Sequence, residues 1–101
     1  MPLEQARAVA QAARQRRASL VGALASGELA LADVDDDERA GEVKAVVIAE
    51  AVPGVGKVGA RRALDALGVP PSARWGELSG QQRRGLVEAL RADGARPAGG
   101  P

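Results

Sequence analysis

Ala51-Val52-Pro53-Gly54-Val55-Gly56-Lys57-Val58-Gly59-Ala60-Arg61-Arg62 joins an apolar segment to the start of a periodic helix. Pro53 lacks an N–H and disfavours helical geometry in the residue before it, so it ends the preceding helix. Gly54 and Gly56 allow positive φ and leave the backbone bare, so a ligand can approach closely. The helix that follows opens with unpaired N–H groups and the positive end of its dipole, and Lys57 adds a full charge beside them. The stretch therefore predicts a hairpin between two helices with an anion site at its nose. A turn that only packs the two helices is the alternative.

Downstream, Ala60, Ala63, Leu64 and Leu67 recur at i, i+3, i+4 and i+7, which predicts a helix over 57–67 with one buried stripe and Gly68 as its stop. Lys57 and Arg61 stand four apart on a flank of that stripe and can face the ligand that the hairpin backbone faces. Arg62 projects from the side opposite the core and is the weaker candidate. Upstream, Val43, Val46, Val47 and Ala51 predict a helix near 39–51 that delivers the chain to the hairpin.

The N-terminal stretch from Leu3 to about Ala25 is Ala-rich and free of internal Pro, and Ser26-Gly27 follows as a stop. It predicts a long helix whose first half buries only Ala and Val and so projects, while Leu20, Val21 and Leu24 anchor its end. Arg14, Arg16 and Arg17 are candidates for a second nucleic-acid contact, against the simpler reading of a solvated helix face. A short helix is expected over 31–34. The run Asp35-Asp36-Asp37-Glu38 lacks the alternating oxygen ligands and central Gly of a calcium loop, so it is expected to cap a helix N-terminus and to hold no metal.

After 67 comes a loop with Pro70-Pro71 and the lone aromatic residue, Trp75. A single Trp in so aromatic-poor a chain is expected to plug the core, with stacking on a base as the alternative. Arg74 beside it is a candidate phosphate contact. Ser79 and Gln82 form a capping box that opens a last helix to about Arg91, buried through Leu78, Leu86, Val87 and Leu90, with Arg83 and Arg84 facing solvent. Residues 92–101 are expected to be a disordered tail.

Twenty-two Ala against ten Leu, eleven Val and one Ile favour slender, closely packed helices, hence an all-α fold. The net charge of +1 hides a strong division. Residues 1–27 carry +3, residues 28–50 carry −6 and residues 51–101 carry +4. Such polarity suits a protein that turns one face to a polyanion. Without Cys or His, thiolate metal sites and the commonest general base are missing, and no cofactor or small-molecule substrate is expected. The Gly-Lys pair also lacks the spacing and following Ser/Thr of a P-loop. No enzyme is expected, nor a membrane segment, and a cytoplasmic location follows.

The order of elements, with V-P-G-V-G-K-V-x-A-R, then L-x-x-L-G-V, then L-S-G-Q-Q-R, resembles the actinobacterial integration host factor, a family of nucleoid-associated DNA-binding proteins. The resemblance covers residues 28–91 and is strongest at Pro53, Gly54, Val55, Gly56, Lys57, Val58, Ala60, Leu67, Gly68, Leu78 and Gln82. It implies residues 28–91 as a four-helix domain with a helix-two-turns-helix arrangement, preceded by a basic helix over 1–27. It also implies a monomer in the nucleoid that binds double-stranded DNA with little sequence preference and bends or constrains it. The DNA-binding residues it implies are Gly54, Val55, Gly56, Lys57 and Arg61, to which the residue reading adds Arg62 and Arg74. An arginine cluster of the family is reduced here to Arg74, with Ala73 and Gly76 at its other positions, and Gly59 replaces a basic residue. An RNA- or ribosome-associated module and a protein-interaction domain using the acidic segment are the alternatives.

Overall fold

The computed structural model describes residues 3–94. Four α-helices, α1 (Leu3–Ser26), α2 (Ala45–Ala51), α3 (Gly56–Ala66) and α4 (Gly80–Gly94), are joined with two 3-10 helices at Leu31–Asp36 and Trp75–Glu77. The described residues contain no strand, only an isolated antiparallel bridge between Lys44 and Arg74. The all-α expectation holds. Of the tail expected to be disordered, residues 95–101 lie outside the described part, and α4 continues to Gly94.

α2 packs between α1 and α3, α3 packs on α4, and α4 reaches the first 3-10 helix. The core between these elements is built around Leu20, Val34, Ile48, Leu64, Leu86 and Leu90, all fully buried. Each such aliphatic side chain contributes roughly 1.5–3 kcal/mol on burial. α1 buries only Leu20, Ala23 and Leu24, and residues 3–11 are all exposed. Because 24 helical residues extend about 36 Å, the free half of α1 accounts for the elongated 54 × 26 × 23 Å outline.

Three expectations change. The helix predicted near 39–51 begins only at Ala45, because the chain before it is drawn into pairing with the loop after α3. Trp75 N–H donates to the Val43 carbonyl at 2.9 Å, Ala45 N–H to Ala73 at 2.8 Å and Gly76 N–H to Gly41 at 3.0 Å. The late start also shifts the buried face of α2 to Ala45, Ile48 and Ala49, leaving Val46, Val47 and Ala51 half-buried, while Val43 is buried from the paired segment. The acidic run, in turn, caps no α-helix. Asp35 accepts the Trp75 indole N–H at 2.7 Å and lies 3.1 Å from Arg83 Nε, and Asp37 pairs with Arg39. Arg83 is accordingly half-buried rather than solvent-facing, and its Nη1 also donates to the Leu78 carbonyl.

Candidate nucleic-acid interface

The hairpin connects α2 and α3 through four residues, Val52 to Val55. Gly54 and Gly56 have φ of 84° and 70°, values L-residues rarely adopt, so glycine is required at both. Val55 lies between them with its side chain buried in the core, and its N–H donates back to the Val52 carbonyl. It pins the hairpin while Pro53, Gly54, Gly56 and Lys57 stay exposed. Of the predicted site, Val55 therefore offers an anion neither its side chain nor its N–H and acts by holding the turn.

The helix openings differ in how their first amides are satisfied. Ala45 N–H at the start of α2 bonds Ala73, and α4 opens with the expected reciprocal box, Gln82 N–H to Ser79 Oγ at 3.0 Å and Ser79 N–H to Gln82 Oε1 at 2.9 Å. α3 opens after Val55, which has no side-chain acceptor, and no acidic residue stands in its first turn. The N–H groups of Gly54, Gly56, Lys57 and Val58 donate to no acceptor among the described residues. An exposed, positively polarised helix end thus faces solvent beside the Lys57 ammonium.

Arg61 and Arg62, both exposed, extend the positive face along α3, Arg61 on the flank of the buried Ala60, Ala63 and Leu64 and Arg62 on the side opposite them. A Schellman pair closes the helix, Gly68 N–H to Asp65 and Val69 N–H to Leu64, and so fixes where the next loop departs. Arg74 is exposed but belongs to a different group. It lines a cleft of about 210 Å³ with Arg14, Arg16, Arg17 and Arg39, and another of about 250 Å³ with Arg17 and Lys44. The seven predicted residues therefore fall into a hairpin group and an outlier, and the outlier's neighbours are the N-terminal arginines.

Arg39 was absent from the sequence-based candidates. Its Nη1 donates to Ser19 Oγ at 2.7 Å while Nε and Nη2 grip Asp37, which ties α1 to the turn before α2. The Asp37 carboxyl falls from 3.8 to about 2, chiefly through the side-chain hydrogen bond from Arg39, whose own value is raised in return. No spacing rule links positions 19 and 39, so only folding brings them together. Trp75 is buried and its indole N–H is used internally, which excludes it from stacking on a base.

Comparison with known proteins gives a consistent result. Residues 13–90 match the S13-like H2TH domain. The chain is 37% identical over 83 residues to the integration host factor of Mycolicibacterium smegmatis, covering 78% of this chain and 79% of that protein, and equally to that of Mycobacterium tuberculosis. A solved structure of sIHF bound to an 8bp palindromic DNA superposes with a TM-score of 0.71 at 30% identity, covering 80% of this chain and 96% of that one. With its long first helix, its helix-two-turns-helix body and these similarities over most of its length, the chain belongs to the actinobacterial integration host factor family, built on an S13-like H2TH domain.

Proposed function

We propose that this protein binds double-stranded DNA with little sequence preference and constrains or bends it as a nucleoid-associated protein. The main-chain amides of Gly54, Gly56 and Lys57 hold a phosphate, while Val55, its own N–H bound to Val52, fixes the loop that presents them, and the Lys57, Arg61 and Arg62 side chains neutralise neighbouring phosphates. Arg74 supplies a further contact from the cleft beside α1. The observation that carries this reading is the exposed first turn of α3, free of any side-chain cap and flanked by Lys57. Its likeness to a DNA-bound relative supports duplex DNA over other polyanions. No row of polar side chains suited to hydrogen-bonding base edges lines the hairpin, so sequence preference comes mainly from groove width and deformability.

Four phosphates neutralised by the Lys57, Arg61, Arg62 and Arg74 side chains give a slope of log K against log salt of about −3.6, from roughly −0.9 per phosphate. The double variant Lys57→Ala, Arg61→Ala is expected to keep its fold, since both side chains are exposed, and to halve that slope to about −1.8. Mobility shifts on unrelated duplexes at two salt concentrations read this directly. An unchanged affinity and slope in the folded double variant would overturn the assignment, and preferential retention of structured RNA in competition would move the site to RNA.

A further inference from the structure

Val58 is 71% exposed, the most exposed of the large apolar side chains among the described residues. It stands in the first turn of α3, about 170° around the helix from the centre of the Ala60–Ala63–Leu64 stripe at 100° per residue. Core packing therefore does not account for it. Its neighbours on the surface are Arg61 at i+3 and Arg62 at i+4, which lie to either side of it around the helix, so one apolar group is flanked by two cations. The residues ahead of it at the nose, Gly54 and Gly56, carry no side chain, which lets the first turn of α3 approach a surface closely.

From this arrangement, and resting on the duplex-binding reading above, we infer that Val58 enters the minor groove between the phosphates held by the flanking cations and disfavours G·C pairs there. The groove is about 6 Å wide, so cations on either side of one small side chain match phosphates on its two walls. Between those walls an apolar group loses contact with water and packs on sugar. The floor carries only acceptors at A·T pairs, whereas guanine adds its N2 amino group, which protrudes and needs a hydrogen-bond partner that a valine does not offer. Architectural proteins also place apolar side chains in the minor groove, where they wedge between base steps.

Inosine separates this cause from other properties of G·C pairs, because inosine–cytosine keeps the major-groove pattern of G·C and lacks the N2 amino group. Titrations on otherwise identical duplexes with A·T, G·C or inosine–cytosine at the centre are expected to place inosine–cytosine with A·T and G·C weaker. The difference is about tenfold at most, the worth of burying the apolar part of one valine. Val58→Ala and Val58→Thr, both at an exposed position and so folded, are expected to flatten that ratio. Lys57→Ala is expected to weaken all three duplexes alike and leave the ratio intact.

A ratio unchanged in both Val58 variants, or G·C and inosine–cytosine bound equally by the parent protein, overturns the inference while leaving the phosphate clamp standing. A preference that instead follows replacement of thymine by uracil puts Val58 in the major groove and overturns it as well. If the parent protein holds none of the duplexes at low salt, both readings fall together.

Discussion

Asp37 and Arg39 show how much of the electrostatics is spent on architecture. Two side-chain nitrogens of Arg39 and its own backbone N–H all donate to the Asp37 carboxylate, which is only 15% exposed. Because the folded carboxyl titrates at about 2 rather than 3.8, its contribution to stability is complete above pH 3.8 and disappears as pH falls to about 2. Asp37→Asn is therefore expected to be less stable than the parent at neutral pH. The gap, measured by urea unfolding, should narrow at about pH 3 as the parent loses its charged partner. A gap independent of pH would mean that the carboxylate charge does not act through Arg39.

Among the elements, the least obvious is the pairing of 41–45 with 73–76, which replaces the first turns of the expected second helix. Gly76 is placed so that an added Cβ would lie 2.9 Å from the Gly41 carbonyl oxygen, a backbone atom that cannot move without parting the two segments. Gly76→Ala is expected to cost about 1–3 kcal/mol, the range for overpacking a well-filled site. At Gly85 the corresponding Cβ would lie 2.7 Å from Leu67 Cδ2, the end of a half-buried side chain that can turn away, so Gly85→Ala should cost less. Trp75, buried beside Gly76 and the lone aromatic residue, reports both transitions by fluorescence.

For the whole molecule, the question is which part of α1 belongs to the folding unit. Residues 3–11 are exposed throughout, whereas Leu20 and Leu24 are buried among the core residues. Deleting residues 1–11 should leave the urea midpoint within experimental error and remove helical circular dichroism. Leu20→Ala should cost about 2–5 kcal/mol through the cavity it leaves. A large loss of stability on deletion would mean that the projecting half is supported by packing after all. Arg14, Arg16 and Arg17 face Arg39 and Arg74 across the cleft because the second half of α1, tied to Arg39 through Ser19, lies over the segment that carries them.

The hairpin was legible from local chemistry. Pro53, the two glycines and the stripe Ala60, Ala63, Leu64 act within a few residues of one another, and period and backbone freedom are local properties. The same holds for the Ser79–Gln82 box and for the anchoring of α1 by Leu20 and Leu24. The start of α2, the use of Asp35 and Arg83, and the company kept by Arg74 were not legible, since each depends on a partner far away in the sequence. A carbonyl at Val43 or a carboxylate at Asp35 has no local preference between helix, water and a distant donor. The fold settles that choice by what it brings within hydrogen-bond reach.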